Sequence, residues 1–221
     1  MVCGTNCDCA TFAQRYAALV AQLTGVTVKV TNLGVPGLTS PGLTAQLTGD
    51  PATRGSVAGS DIVLVTIGAN DLAPALTAWQ RSACDLSCFT RVMPTIAANI
   101  GAVVQQIYRL RAGRATEILV TDYWNVFLDG RVGAALGTGY QRLSDQVTRL
   151  ANHAICQAAT GAGATCVDLY TPFKGSSGTR DPTALLADDG DHPDAAGHGP
   201  IAATLAAHGW AELGDHDDAG R

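Results

Sequence analysis

Lysine is almost absent from this sequence, and charge of either sign is scarce. The chain has 221 residues, but Lys29 and Lys174 are its two lysines, and charged residues make up 15% of the total. With 14 Lys and Arg residues against 19 Asp and Glu residues, the formal net charge is −5, and no basic cluster occurs. This balance argues against a nucleic-acid partner and gives no electrostatic reason for binding to an anionic membrane.

Long apolar runs and a leader pattern are also lacking. No stretch is apolar for long enough to cross a bilayer, so we predict no transmembrane segment, and no signal peptide is recognisable in this chain. Hydrophobic residues still account for 47% of the sequence, which is typical of a globular domain with a substantial core. We expect one domain over residues 1–208 and a polar C-terminal tail over residues 209–221.

Cysteine is the residue that is unusually common. Among the seven cysteines, Cys84 lies close to Cys88, and Cys156 lies close to Cys166, so each pair could close a short loop by a disulfide. Metal binding is the alternative, but no Cys-x-x-Cys pair occurs and no histidine has a suitable spacing to the cysteines. We therefore expect disulfides, an oxidising compartment and an extracellular location. The odd count comes from three further cysteines near the N-terminus, namely Cys3, Cys7 and Cys9.

Helical and strand patterns alternate along the chain. Apolar residues recur at helical spacing in some segments, and short apolar runs that are typical of buried parallel strands lie between them. This alternation predicts an α/β domain whose parallel sheet is covered on both faces. The predicted helices span residues 12–23, 96–110, 143–154 and 201–208; the predicted strands span residues 26–30, 61–67, 116–121 and 164–169; residues 32–42 are predicted to form a loop.

Residues with catalytic potential follow the predicted strands. Asp189 precedes His192 by three positions, so a tight turn could bring its carboxylate to the imidazole and make an acid–base pair. Asn70 follows a buried strand and could donate its side-chain amide to an oxyanion, as could the backbone N–H of Gly37. The alternatives are a solvated acidic loop, a weak metal site made of Asp191, His192 and His198, an Asn-Asp helix cap at Asn70, and an ordinary turn glycine at Gly37.

Together these segments resemble the SGNH (GDSL-type) hydrolase family. Gly37-Leu38-Thr39-Ser40 is similar to its second block, Gly68-Ala69-Asn70-Asp71 to its third, and Asp189-Gly190-Asp191-His192-Pro193 to its fifth. The resemblance implies a three-layer α/β/α sandwich with a central parallel sheet and an esterase or lipase activity. It also implies that His192 and Asp189 are catalytic and that Gly37 and Asn70 are oxyanion donors. Tyr123 and Trp124 occupy a loop that lines the substrate site in this family.

The same resemblance implies no cofactor and no metal. The substrate would be an ester of a small molecule, a lipid or an acylated carbohydrate, and the protein would be a monomer.

One part of the family pattern is missing, because no Gly-Asp-Ser segment occurs in this sequence. In the family that serine is the nucleophile and follows the first strand, so we expect the chain to be N-terminally truncated, with its first strand missing and little activity as given. Ser40 and Cys3 are the nearest substitutes, and no Gly-x-Ser-x-Gly elbow is present. The alternative is a non-catalytic carbohydrate- or lipid-binding relative that keeps the fold.

Overall fold

The computed structural model describes residues 10–209, which form ten α-helices, two 3₁₀ helices and three strands. The predicted tail and the cysteines Cys3, Cys7 and Cys9 lie outside the described residues, apart from Gly209. In chain order the elements are α1 (Phe12–Thr24), α2 (Ser40–Gly49), α3 (Pro51–Ala58), β1 (Ile62–Val65), a 3₁₀ helix (Ala69–Leu72), α4 (Ala73–Gln80), α5 (Ser87–Thr90), α6 (Met93–Arg111), β2 (Glu117–Thr121), α7 (Gly130–Ala135), α8 (Thr138–Gly161), β3 (Thr165–Val167), α9 (Tyr170–Lys174), a second 3₁₀ helix (Thr183–Leu185) and α10 (His198–His208).

The three strands form a parallel sheet in the order β1-β2-β3. Ile62 lies opposite Glu117 at the start of the first ladder, and Thr121 lies opposite Val167 at the end of the second. All five residues of β2 are buried, as expected for a central strand that is covered on both faces. Because the strands are parallel, their carboxyl ends lie on the same side of the domain, which is where binding residues collect in open α/β folds.

Helices cover both faces of this sheet. Successive side chains of a strand point to opposite faces, so Ile118 and Val120 pack into one core, while Leu119 packs into the other. The first core is built mainly with α2, α3, α6 and α8, and the second with α1, α9 and α10. The predicted three-layer α/β/α sandwich with a parallel sheet is confirmed.

One helical run, Ser87–Arg111, is long and apolar enough to cross a membrane when judged by length and composition alone. Within it, Ile96, Ile100 and Val103 are completely buried in the core of the domain. The core helix of a globular domain satisfies the same test, so the run is weak support for a membrane span.

The predicted strand over residues 26–30 is wrong. This segment has no regular secondary structure, and no backbone hydrogen bond joins residues 26–32 to a neighbouring strand within the described part of the chain. A cavity of about 1840 Å³ lies between this segment and β1, and among residues 10–209 neither has a strand partner on that side. Alternating valines predict extended backbone, but a strand also needs a partner for its N–H and C=O groups.

The predicted loop over residues 32–42 ends earlier than expected. The Thr39 hydroxyl accepts a hydrogen bond from the N–H of Gly42 and so caps α2, which begins at Ser40 and has Pro41 in its first turn. A threonine cap followed by proline is a standard helix start. Five short helices, α3, α4, α5, α7 and α9, were not predicted, because each has eight residues or fewer and too few turns for a clear apolar period.

Two disulfides join the predicted cysteine pairs. Cys84 bonds to Cys88 with a Cα–Cα separation of 5.9 Å, and Cys156 bonds to Cys166 with a separation of 5.2 Å. Both separations lie in the ordinary range for disulfides. The second bridge ties α8 to β3, and both bridges are compatible with an extracellular protein.

Candidate active site

Asn70 lies at the carboxyl end of β1, in the first 3₁₀ helix. Gly68 makes the sharp turn out of the strand with φ of +119°, a backbone conformation that favours glycine. The Asn70 side chain is exposed, and its Nδ2 donates a hydrogen bond to the Leu38 carbonyl at 3.2 Å. One N–H of the amide is therefore used to hold the neighbouring loop, while the other can serve a ligand.

Gly37 lies in that neighbouring loop, inside a turn closed by a hydrogen bond from the Leu38 N–H to the Val35 carbonyl. Its φ is +74°, and a Cβ added there would meet open space. The turn thus requires glycine for its backbone angle rather than for lack of room. The Gly37 N–H has no hydrogen-bond partner in the described part of the chain.

A clamp between Ser40 and Asp71 holds these two loops together. The Ser40 N–H donates to Asp71 Oδ2 at 2.8 Å, and the Ser40 hydroxyl donates to Asp71 Oδ1 at 2.6 Å. Asn99 on α6 then donates to the Ser40 Oγ at 2.9 Å. Ser40 is completely buried, so its hydroxyl links α2 to the residue that follows Asn70. The Asn-Asp helix cap considered for this segment does not form, because neither the first 3₁₀ helix nor α4 has a side-chain cap. Asp71 instead binds the first residue of α2.

His192 and Asp189 form a hydrogen-bonded pair in the turn before α10. The imidazole Nδ1 lies 2.9 Å from Asp189 Oδ2, while Asp189 Oδ1 accepts from the N–H groups of Asp191 and His192, both at 3.0 Å. Partial burial acts to raise the Asp189 pKa, but these two N–H groups and the imidazole together bring the pKa below its ordinary value. Asp189 thus stays ionised beside the imidazole.

A second carboxylate faces the same histidine. Asp191 Oδ2 lies 4.0 Å from His192 Nδ1. Burial raises the Asp191 pKa, the imidazole opposes this rise, and the charge of Asp189 adds to it. Sequence reasoning considered Asp191 solely as a metal ligand, although its place beside His192 in the chain was visible.

The metal alternative is not supported by the positions of its residues. His198 is completely buried on α10, and its Nδ1 accepts a hydrogen bond from the Phe12 N–H of α1 at 3.2 Å. Among residues 10–209, no group of three or more His, Cys, Asp or Glu side chains is arranged to hold an ion.

Tyr123 and Trp124 follow β2 and border the large cavity. The Tyr123 hydroxyl accepts from the N–H of Ala69 at 3.5 Å, which places this side chain beside Asn70. Burial raises the Tyr123 pKa, so the phenol is neutral at ordinary pH. Trp124 is only 4% exposed and stacks on Phe173 at 4.8 Å, so most of its ring packs in the core.

The large cavity runs between the extended segment and β1 as far as His192. Gly37, Asn70, Asp189, Asp191 and His192 all border it. The lining includes two serines, Ser56 and Ser60. Ser60 lies just before β1, at the end of the strand that is opposite to Asn70, and its hydroxyl donates to the Ser56 carbonyl at 2.7 Å.

The sequence matches the GDSL-like lipase/acylhydrolase family over residues 1–199. A lipase from the goat rumen metagenome has a similar structure, with a TM-score of 0.76 and 18% identity over 94% of this chain and 92% of the lipase. An acetylxylan esterase from Geobacillus stearothermophilus has a TM-score of 0.59 and 21% identity over 95% of this chain and 90% of the esterase. At these identities the likeness concerns the fold. No curated protein sequence matches the chain. Since the family match spans most of its length, the chain belongs to the GDSL-like lipase/acylhydrolase family of esterases and lipases.

Proposed function

We propose that this protein is a serine-type carboxylic ester hydrolase in which His192 is the general base and Asp189 orients it. The contact of 2.9 Å between His192 Nδ1 and Asp189 Oδ2 carries this proposal. When the imidazole proton is on Nδ1 and is donated to the Asp189 carboxylate, Nε2 has a free lone pair. Nε2 can then take the proton of a nucleophile and give it to the leaving alcohol. Asp189 also stabilises the imidazolium that forms between these two transfers.

Gly37 and Asn70 are the proposed oxyanion donors. The Gly37 N–H has no partner in the described residues, and the Asn70 amide keeps a second N–H beyond the one bound to Leu38. Two donors that border the same cavity would stabilise the negative charge that develops on the ester carbonyl oxygen. Removal of one such donor typically lowers kcat by about 10²- to 10³-fold.

The nucleophile that we propose is the serine of a Gly-Asp-Ser segment, which the printed sequence does not contain. Ser40 is buried and bound to Asp71, and the cavity-lining Ser56 and Ser60 precede β1. A further strand that filled the cavity between residues 27–32 and β1 could pair with the edge of β1. It would present a serine at its carboxyl end, beside His192. Without such a segment the chain as given would hydrolyse esters poorly.

The substrate would be an ester of a small molecule, a lipid or an acylated carbohydrate. The structural neighbours include a lipase and an acetylxylan esterase, and the cavity here has an apolar lining near the extended segment. The two disulfides support an extracellular location. We propose that the protein acts as a monomer and without a cofactor.

A non-catalytic binding protein for carbohydrates or lipids is the second candidate. It is favoured by one observation, the lack of a Gly-Asp-Ser segment in this sequence. The two candidates differ in what the DNA upstream of Met1 encodes. An in-frame Gly-Asp-Ser segment there would contradict the binding protein, and its absence would contradict the esterase.

Hydrolysis of a short-chain p-nitrophenyl ester by the chain as given tests the account of the nucleophile. We expect turnover close to that of the buffer. The matched variants are His192→Ala, Ser40→Ala and Cys3→Ala. Robust turnover that His192→Ala abolishes, and that both other variants keep, would contradict our assignment of the nucleophile while supporting His192 as the base.

A further inference from the structure

The turn that carries Asp189 and His192 is fixed through its own carbonyl groups. Three successive carbonyls each accept a hydrogen bond: that of Gly190 from the Asp129 N–H at 2.7 Å, that of Asp191 from the Trp124 indole at 3.1 Å, and that of His192 from the Ala187 N–H at 2.8 Å. Two of these donors are backbone groups. Trp124 is the side-chain donor, so a substitution can remove its bond and leave the backbone intact.

Trp124 is itself held firmly in place. Its ring stacks on Phe173 at 4.8 Å with an interplanar angle of 20°, and it is 4% exposed. A buried side chain in a close stack has few alternative rotamers, so its N–H has a fixed direction. The indole nitrogen therefore works as a rigid anchor for the Asp191 carbonyl.

The loop around Trp124 is tied to α8 on both sides. Ahead of it, the Tyr123 N–H donates to Asn152 Oδ1 at 3.0 Å, and Asn152 Nδ2 donates back to the Tyr123 carbonyl at 2.7 Å. Behind it, the Val126 N–H donates to the Thr148 hydroxyl at 3.1 Å. Thr148 and Asn152 are four residues apart on one face of the helix, which lets both reach the same loop.

The turn has no room to slide away from this anchor. Gly190 has φ of +72°, and a Cβ added there would lie 2.5 Å from the Cβ of Val132 on α7. The turn is thus packed against α7 on one side and bonded to Trp124 on another. The Asp191 carbonyl belongs to the peptide that joins Asp191 to His192. The bond from Trp124 therefore fixes the backbone from which the imidazole extends.

We infer that Trp124 is a positioning residue, whose indole N–H aligns His192 with Asp189 by holding the Asp191 carbonyl. The inference deepens the proposed function on which it rests. It also gives Trp124 a role different from the lining of a substrate site. Trp124 donates its N–H to a backbone carbonyl of the turn, so its effect is on the geometry of the Nδ1–Oδ2 contact.

The test measures the tautomer of His192 by nitrogen NMR in the ¹⁵N-labelled chain, at a pH above about 8, where histidine is ordinarily neutral. His192→Gln assigns the signals. In the unsubstituted chain we expect the Nδ1–H form to dominate, because Asp189 accepts that proton. In Trp124→Phe, which keeps an aromatic ring but lacks the donor, the ratio of the Nδ1–H form to the Nε2–H form should fall by about two- to five-fold, because a turn that is held less firmly weakens the hydrogen bond from Nδ1 to Asp189.

Trp79→Phe is the matched control, because Trp79 packs on Tyr140 at 6.4 Å and none of the hydrogen bonds described for the turn involves it. It should leave the ratio unchanged. An unchanged ratio in Trp124→Phe would overturn the inference. If that variant does not fold, a nuclear Overhauser signal between the indole proton of Trp124 and the N–H of His192 in the unsubstituted chain decides, and its absence overturns the inference.

This readout is independent of ester hydrolysis. Hydrolysis that persists in His192→Ala would refute the proposed function and leave the tautomer ratios as they are. A failure of the inference and a failure of the proposed function can therefore be told apart.

Discussion

Asp122 is a carboxyl group buried at the end of β2, directly before Tyr123. It is 5% exposed, and its Oδ1 accepts a hydrogen bond from the Leu169 N–H at 2.6 Å. Burial raises the pKa of Asp122 to about 7, hydrogen bonds from the backbone of Leu169 and Tyr170 oppose the rise, and the charge of Asp168 adds to it. The folded protein thus keeps a proton that the unfolded chain would release at a lower pH.

This difference predicts a stability that falls as pH rises. The stabilising contribution is fully present below about pH 4 and is lost as the pH passes through 7, because the folded state binds the proton more tightly in that window. The loss would be roughly 4 kcal/mol at most. Urea unfolding of the chain and of Asp122→Asn at pH 5 and pH 8 measures it, and the variant should show a smaller decrease. The exposed Asp188→Asn should behave as the parent, and an equal decrease in Asp122→Asn would refute this account.

At the residue scale, the sequence was sufficient to predict a hydrogen bond where its two partners are close in the chain. Asp189 and His192 are three residues apart, and spacing alone suggested the hydrogen bond between them. The clamp could not be foreseen, because Ser40 lies 31 residues from Asp71 and 59 residues from Asn99. Such contacts are made by the packing of α2 and α6, which a local pattern does not contain.

The same limit holds at the scale of elements. The helices α6 and α8 were predicted because each has several turns with a repeated apolar face. Residues 26–30 were predicted as a strand from alternation alone, but alternation does not supply a pairing partner. The sequence also revealed nothing of the polar residues Ser144, Thr148 and Asn152 on the buried face of α8, which bind the loop after β2.

The disulfide between α8 and β3 contributes to the free energy of unfolding, and its contribution can be measured. Cys156 and Cys166 are 10 residues apart, and closing a loop of this size stabilises a domain by roughly 2–3 kcal/mol through the unfolded state. The double variant Cys156→Ser/Cys166→Ser should lose that amount of unfolding free energy in urea. Cys84→Ser/Cys88→Ser is the matched control, with a separation of 4 residues and a smaller expected loss. Equal stability of parent and Cys156→Ser/Cys166→Ser would show that the bridge contributes nothing.

At the scale of the whole molecule, the main feature is the cavity between residues 27–32 and β1. Its volume of about 1840 Å³ and the edge of β1 that has no partner among residues 10–209 both cost stability, because apolar walls and strand edges stay in contact with water. Fusing an apolar strand that ends in Gly-Asp-Ser ahead of Met1 should therefore raise Tm by several degrees and produce hydrolysis of p-nitrophenyl acetate.

The same fusion ending in Gly-Asp-Ala is its matched control. It should raise Tm equally and give no hydrolysis, because it restores packing without the nucleophile. A fusion that leaves Tm unchanged would mean that the cavity does not accept a strand. Equal hydrolysis by both fusions would mean that the nucleophile lies elsewhere.

The clamp between Ser40 and Asp71 has a consequence for how the protein would lose activity. Together with the hydrogen bond from Asn70 to Leu38, it links the two loops that carry Gly37 and Asn70. These links are three hydrogen bonds, whereas the core that holds β2 against α6 and α8 is deep and apolar. Mild denaturant would part these loops before it melted the core, so the active Gly-Asp-Ser fusion would lose its activity before it unfolded. Gly37 and Asn70 could then be separated while the helix content of the protein is unchanged.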